Sequence, residues 1–228
     1  MNSPIILAID TDDLEVAKSW VNATSSSIGI FKLGLEFFLK FGREGIAAIQ
    51  AETDSQIFLD LKLHDIPNTV GSATAQVASL KPRFLTVHAS GGSAMVQAAA
   101  DNAPNTDITA VTILTSLNQR DLLEIGFTGT AESRAVELAK MAIASGARAI
   151  VCSPLEISSI RSVVSDSISI ITPGIRPRDK SNSDDQKRVM DPKSAIKSGA
   201  NYLVIGRPIT GAVDVARAAA EILEEALS

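Results

Sequence analysis

Residues 58–69 read FLDLKLHDIPNT, an apolar run that carries an acid, a lysine and a second acid. Side chains alternate between the two faces of an extended strand, so Asp60 and Lys62 share one face and Leu59 and Leu61 the other. Apolar residues on both faces are typical of a strand buried in a parallel sheet. An unpaired charge in such a place costs at least about several kcal/mol, so this spacing predicts a compensating ion pair or a preorganised site. A solvated ion pair at a surface strand end is the alternative.

Short apolar runs of the same kind recur along the whole chain. Each is followed by a segment with helical spacing, and this alternation predicts a parallel sheet. We expect eight strands, at residues 5–10, 28–33, 56–61, 84–88, 108–114, 149–152, 169–172 and 202–205. We expect helices near residues 13–23, 42–52, 68–80, 93–102, 131–145, 155–164, 192–198 and 213–226.

The even spacing of these eight units favours a (β/α)8 TIM barrel, in the α/β class, over a doubly wound sheet. No glycine-rich dinucleotide loop follows the first strand, which also disfavours the doubly wound alternative. No linker or low-complexity stretch divides the chain. We therefore predict one catalytic barrel domain over residues 1–228.

Composition narrows the class of function. The chain has 228 residues, 45% of them hydrophobic, and a formal net charge of −5, which argues against a nucleic-acid binder. Cys152 is the only cysteine and lies in an apolar run, so we expect a buried thiol and no internal disulfide. No targeting segment or membrane-spanning run is present in the sequence, and we expect a cytoplasmic protein without membrane association.

Polar residues collect where the predicted strands end. In TIM barrels the active site lies at the carboxyl ends of the strands. The residues predicted there are Asp10, Lys32, Asp60, Lys62, His88, Thr115, the segment 173–176, Gly206 and Arg207. This ring of acids and bases predicts an active site at one mouth of the barrel, with Arg207 as a phosphate-binding candidate.

Several of these residues have structural alternatives. Asp10 suits a helix cap together with its neighbours Thr11 and Asp12, and Asp65 suits the cap of a helix with proline in its first turn. His64 and His88 have no acid or metal partner in the sequence, and we interpret both as structural. Lys32 differs, because its position in the strand directs its charge into the barrel.

One long polar loop, at residues 176–187, follows the seventh strand. Loops of this length in compact domains are usually functional or disordered. Its position at a carboxyl strand end favours a lid over a solvated excursion.

The arrangement of these motifs resembles orotidine 5′-phosphate decarboxylases. The pattern D-x-K-x-H-D-I-P-N-T from Asp60 to Thr69 carries the resemblance most strongly. It continues through LAID, FKLG, VTILTS, TPGIR, DQ and VIGRP, at residues 7–10, 31–34, 111–116, 172–176, 185–186 and 204–208. The shorter Asp-x-Lys-x-x-Asp pattern alone is shared with sugar-phosphate decarboxylase and aldolase relatives.

The resemblance implies decarboxylation of orotidine 5′-monophosphate (OMP) to uridine 5′-monophosphate (UMP) and CO2, the last step of de novo pyrimidine synthesis. It implies no metal and no cofactor. Lys62 would protonate the C6 carbanion of the pyrimidine, and Asp60 would lie beside the departing carboxylate. Lys32, Asp60, Lys62 and Asp65 would form an alternating charge array. The family is dimeric, and Asp65 and Thr69 would come from the second subunit.

The resemblance also implies how the substrate is held. Asp10 and Lys32 would hold the ribose hydroxyls, Thr115 would contact the pyrimidine and Gln186 would bridge base and phosphate. The phosphate would be held by Arg176, Arg207 and the Gly206 backbone. The full set of implied substrate contacts is Asp10, Lys32, Asp60, Thr69, Thr115, Arg176, Gln186, Gly206 and Arg207.

Two other functions compete with this one. A metal-dependent sugar-phosphate decarboxylase would need a second hard oxygen ligand near Asp60, and at the second strand end this chain has the cation Lys32. A catalytically silent barrel that only binds nucleotide monophosphates would keep the phosphate site and lack turnover.

Overall fold

Eight parallel strands close into a barrel in the computed structural model, which describes residues 3–177 and 189–228. Each strand pairs with the next in sequence, and the last pairs with the first. The strands are β1 (Ile5–Ile9), β2 (Ile30–Gly34), β3 (Gln56–Leu63), β4 (Phe84–His88), β5 (Asp107–Val111), β6 (Ala149–Val151), β7 (Ser169–Thr172) and β8 (Tyr202–Ile205). The predicted TIM barrel is thus confirmed.

Helices lie between the strands and cover the outside of the barrel. They are α1 (Leu14–Thr24), α2 (Leu35–Gln50), α3 (Pro67–Ala78), α4 (Ser93–Asn102), α5 (Gln119–Glu124), α6 (Ala131–Ala144), α7 (Ile157–Arg161), α8 (Pro192–Lys197), α9 (Arg207–Thr210) and α10 (Val215–Leu227). Short 3₁₀ turns occupy Ala89–Gly91 and Pro154–Glu156. None of the helices within the described ranges has the length and apolarity needed to cross a bilayer.

The barrel interior is filled by its own side chains below the mouth. Ile6, Ile30, Phe58, Phe84 and Ile171 form this inner cluster and are at most 2% exposed. The rings of Phe58 and Phe84 meet edge to face with centroids 5.6 Å apart, a geometry that adds to their burial. A larger apolar layer lies between the strands and the surrounding helices. The packed side chains of the interior lie directly beneath the charged residues at the mouth and support them.

The helix prediction missed three helical segments. The helix expected at 42–52 is the part of α2 that follows a kink at Gly42, where φ is 57°, and the helical segment at residues 35–41 before the kink was not predicted. Glycine adopts this conformation at little steric cost, and its non-helical φ and ψ separate the two helical segments of α2. The helices α5 and α9 were not predicted, because six and four residues are too few to show a helical period.

The predicted strand ends were too long at several places. The fifth strand ends at Val111 rather than at residue 114, which places Ile113, Leu114 and Thr115 in the following loop. A continuous apolar run does not show where backbone pairing stops, because buried loop residues are apolar too.

Candidate active site

Four charged side chains meet at the carboxyl ends of the first three strands. Lys32 Nζ lies 3.3 Å from Asp10 Oδ1 and 3.5 Å from Asp60 Oδ2. Lys62 Nζ lies 2.8 Å from Asp60 Oδ1. Asp60 therefore holds one lysine on each carboxylate oxygen, and the charges alternate in sign through the cluster. Asp60 and Lys32 have side chains only 13% and 10% exposed, so this is not the solvated surface ion pair considered as an alternative.

The electrostatics of the cluster favour the charged forms of Lys32 and Asp60 despite their burial. Burial alone would lower the pKa of Lys32, but the carboxylates of Asp60 and Asp10 outweigh it and raise the pKa above its usual value. Burial would likewise raise the pKa of Asp60, whereas Lys32, Lys62 and the hydroxyl of Thr86 hold it below the usual range. Each group thus stabilises the ionised form of its neighbour.

A bulge in β3 sets the position of Lys62. The pairing with β4 passes from Leu59–Leu85 to Leu63–Val87, so β3 uses four residues where β4 uses two. Lys62 has φ of +48°, in the left-handed region that residues other than glycine rarely occupy. The regular alternation predicted for this strand is therefore interrupted at Lys62, although the Lys62 side chain still reaches Asp60.

Thr86, on the adjacent strand β4, was not predicted as a site residue. Its Oγ1 donates to Asp60 Oδ1 at 3.0 Å and accepts from the Lys62 backbone amide at 2.8 Å. It is fully buried. One signal was present in the sequence: Thr86 has the inward parity of Phe84, and an inward threonine near a strand end needs a hydrogen-bond partner.

A cavity of about 280 Å³ opens above the charged cluster. Its walls divide into an apolar part and a cationic part. The apolar part includes Val111, Ile113, Leu114, Val151, Pro173 and Val204, and the cationic and glycine part includes Gly174, Arg176, Gly206 and Arg207. Asp10, Lys32, Asp60, Lys62 and Thr115 line the cavity as well. This lining suits a ligand with an apolar group and an anionic group.

Two predicted residues, Asp65 and Thr69, do not line this cavity. Both are exposed, and neither is among the described residues that line it. Asp65 Oδ1 accepts from the Ile66 amide at 2.6 Å, and no ion pair joins Asp65 to another residue within the described part of the chain. Gln186, another predicted contact, lies outside the described residues, as does most of the loop 176–187.

The helix-cap alternatives for Asp10 and Asp65 are wrong. The cap of α1 is Asp13, whose carboxylate accepts from the Glu15 and Val16 amides. The cap position of α3 is Ile66, and no side chain caps that helix. Asp10 therefore belongs to the charged cluster, and Asp65 has no capping role.

The two histidines lie against each other beside the site. The ring centroids of His64 and His88 are 5.2 Å apart, with the planes tilted by 35°. Burial, with the nearby His64 and Lys62, lowers the pKa of His88 against an opposing effect of Asp60. The residues described contain no group of three or more His, Cys, Asp or Glu arranged to hold a metal ion.

The chain is similar in sequence and in structure to known proteins. A family model described as "Orotidine 5′-phosphate decarboxylase / HUMPS family" matches residues 3–222. A protein named orotidine 5′-phosphate decarboxylase from Thermobifida fusca (strain YX) is 46% identical over 225 residues, 99% of this chain and 96% of the relative. One of the same name from Gluconobacter oxydans (strain 621H) is 42% identical, covering 98% and 97%. A crystal structure of orotidine 5′-phosphate decarboxylase from Lactobacillus acidophilus superposes with a TM-score of 0.86 at 34% identity, covering 99% of this chain and 100% of that one.

Proposed function

The chain belongs to the orotidine 5′-phosphate decarboxylase / HUMPS family, and we propose that it decarboxylates OMP to UMP and CO2. In this proposal the site stabilises a carbanion at C6 of the pyrimidine electrostatically. The reaction is the last step of de novo pyrimidine synthesis. One observation carries the proposal: the Lys62 ammonium lies 2.8 Å from a buried carboxylate and faces a cavity suited to a nucleotide.

Lys62 acts as the proton donor in this proposal. The bond between C6 and the carboxylate breaks, CO2 leaves, and the electron pair stays on C6. The ammonium of Lys62 then gives its proton to C6 and becomes an amine. Because Asp60 fixes the ammonium before the reaction begins, the charge that stabilises the carbanion needs no reorganisation as the bond breaks.

The substrate contacts follow the two parts of the cavity. The phosphate lies against Arg176, Arg207 and the Gly206 backbone, and the pyrimidine lies against the apolar wall near Thr115. Asp10 and Lys32 reach the ribose hydroxyls from the charged cluster. Gln186 bridges base and phosphate, a role that depends on the family resemblance alone. Phosphate binding far from C6 supplies binding energy that is expressed at the reacting carbon.

We place the functional unit as a cytoplasmic homodimer in which Asp65 and Thr69 complete the partner's site. The support is that both residues are exposed and that neither is among the described residues lining the cavity of their own chain. Asp65 of the partner subunit would then extend the alternation Lys32, Asp60, Lys62 by one further charge and place Lys62 between two acids.

Mixed dimers test the shared site. Lys62→Ala and Asp65→Ala proteins, carrying different affinity tags and co-expressed, give a heterodimer in which one site has both defects and the other has none. With random exchange about a quarter of all sites are intact. The matched control pairs Lys62→Ala with Asp60→Asn, whose two residues belong to one site, so that both sites of that heterodimer are defective. Recovery of activity in the first pair alone supports the proposal, and equal inactivity of both pairs contradicts it.

A metal-dependent sugar-phosphate decarboxylase is the competing activity within the same broad family. A divalent ion would have to bridge oxygen ligands near Asp60, and the space between the Asp60 and Asp10 carboxylates holds the Lys32 ammonium. This placement supports metal-free chemistry at the site.

Turnover of OMP in the presence of a chelator tests the function. The purified protein, treated with EDTA, should release CO2 and form UMP in equal amounts at the rate of the untreated protein. Loss of activity on chelation would indicate a metal enzyme, and binding of UMP without any turnover of OMP would indicate a silent binding barrel. Either result contradicts the proposal.

A further inference from the structure

We propose that Thr86 is a positioning residue, whose hydroxyl fixes the Lys62 backbone and the Asp60 carboxylate in one orientation relative to each other. This inference rests on the proposed function, because its consequence is the rate of OMP decarboxylation. It goes beyond the catalytic array, since Thr86 is fully buried and is not among the described residues that line the cavity.

The bulge in β3 interrupts the pairing of this strand with β4 next to Lys62. A bulge removes backbone groups from the ladder of strand hydrogen bonds. The Lys62 amide lies in the part of β3 where the register shifts, and it donates to Thr86 Oγ1 at 2.8 Å. A hydroxyl from the neighbouring strand thus takes the place of a ladder carbonyl. A buried amide without any partner would be costly, so this contact helps to hold the unusual φ of Lys62.

Thr86 also contacts the Asp60 carboxylate. The same Oγ1 donates to Asp60 Oδ1 at 3.0 Å, and this is the oxygen that accepts from Lys62 Nζ at 2.8 Å. Together these contacts form a ring through Thr86 Oγ1, Asp60 Oδ1, the Lys62 ammonium and the Lys62 amide. The hydroxyl therefore constrains both ends of the Lys62 residue, its backbone directly and its ammonium through Asp60.

The Thr86 hydroxyl makes both contacts through one oxygen atom. A hydroxyl donates one hydrogen bond and accepts others, which is the combination that the amide and the carboxylate require. Valine has the shape of threonine without either capacity, and serine keeps both. A displacement of a catalytic group by about 1 Å lowers rates by about 100-fold. We expect loss of the hydroxyl to reduce kcat by about 10- to 100-fold while nucleotide binding is retained.

The experiment compares Thr86→Val, Thr86→Ala and Thr86→Ser for kcat on OMP and for the dissociation constant of UMP. In the valine and alanine proteins kcat should fall by about 10- to 100-fold. Their dissociation constants for UMP should stay within about threefold of that of the unsubstituted protein, and both should show a cooperative thermal unfolding transition. The serine protein should recover kcat to within about threefold, which a purely space-filling role would not give.

Thr109 supplies a matched control on the next strand. It is the register partner of Thr86, is equally buried, and its hydroxyl donates to the Asp107 carbonyl within its own strand. Thr109→Val should keep the kcat of the unsubstituted protein.

The results separate this inference from the proposed function. If the unsubstituted protein releases no CO2 from OMP, the proposed function fails. If it does so and Thr86→Val keeps the same kcat, or Thr86→Ser is as slow as Thr86→Val, only the positioning role is overturned. A Thr86→Val protein that does not fold leaves Thr86→Ala and Thr86→Ser to decide by the same criteria.

Discussion

Replacing Lys62 by alanine should reduce decarboxylation by at least about 10⁵-fold while the barrel remains folded. An ammonium about 4 Å from a unit negative charge contributes about 4 kcal/mol at an effective dielectric constant of about 20, which is about 10³-fold in rate. Loss of a positioned proton donor removes a further factor of about 10² to 10⁴. Asp60 would keep Lys32 as a partner at 3.5 Å, and the Lys62 side chain is 31% exposed, so we expect no large loss of stability.

The assay for this variant is release of labelled CO2 from OMP that carries the label in its carboxylate. The preparation must be free of the host's own enzyme. Lys40→Ala is the control, because Lys40 is an exposed lysine paired with Asp12 at 3.0 Å, away from the cavity, and its removal should leave kcat unchanged. Thermal melting and UMP titration verify that the Lys62→Ala protein is folded. Retention of more than about 1% of the original kcat would refute the reasoning, because the charge term alone predicts a larger loss.

Three further predictions follow from the same geometry. Arg207→Ala should weaken UMP binding by about 10- to 150-fold, since a charge-assisted hydrogen bond contributes about 1.5–3 kcal/mol; unchanged affinity in a calorimetric titration argues against its phosphate role. The lowered pKa of Asp60 contributes stability that is present above its unfolded pKa of about 3.9 and is lost as the pH falls through its folded pKa. When urea unfolding is measured from pH 5 to pH 2, the free energy of unfolding should therefore fall less in Asp60→Asn than in the unsubstituted protein. An equal fall in the two proteins contradicts the coupling between Asp60 and the lysines. Burial raises the pKa of the Cys152 thiol, so iodoacetamide should label it only after unfolding, and labelling of the native protein would show that the thiol is accessible.

The sequence was sufficient for the features that depend on local pattern. The period of apolar residues placed α4 at residues 93–102 and β4 at residues 84–88 with the bounds that the structure shows. Strand parity also placed Lys32 and Asp60 inside the barrel mouth, where they meet. These features were predictable because alternation within a strand and the location of the mouth require no knowledge of neighbouring strands.

The features that depend on register between strands were not predictable. The bulge at Lys62 exists only relative to β4, and the double hydrogen bond of Thr86 depends on how β3 and β4 align. Nothing within residues 56–63 indicates that β3 advances by four residues where β4 advances by two. The capping box of α5, in which Asn118 and Asp121 exchange hydrogen bonds, was a signal in the sequence that a search for helical periodicity alone does not use.

The placement of Asp65 is a different case. Its spacing allowed a helix cap, and the structure shows an exposed carboxylate that caps no helix. A role in a second subunit involves contacts that one chain does not contain, so the residues alone had no means of indicating it. That role stays a prediction, for which the mixed dimer is the test.

Hydrogen exchange at C6 of UMP tests the central claim most directly. If Lys62 protonates a C6 carbanion, the reverse step must also occur at this site, because acid and base catalysis by one group are linked through the same transition state. UMP incubated with the protein in D2O should lose its C6 proton signal by NMR, and Lys62→Ala should reduce the exchange to the rate without protein. The Lys40→Ala control should exchange at the original rate. Exchange in the Lys62→Ala protein as fast as in the unsubstituted one would contradict the claim that Lys62 delivers the proton to a carbanion at C6.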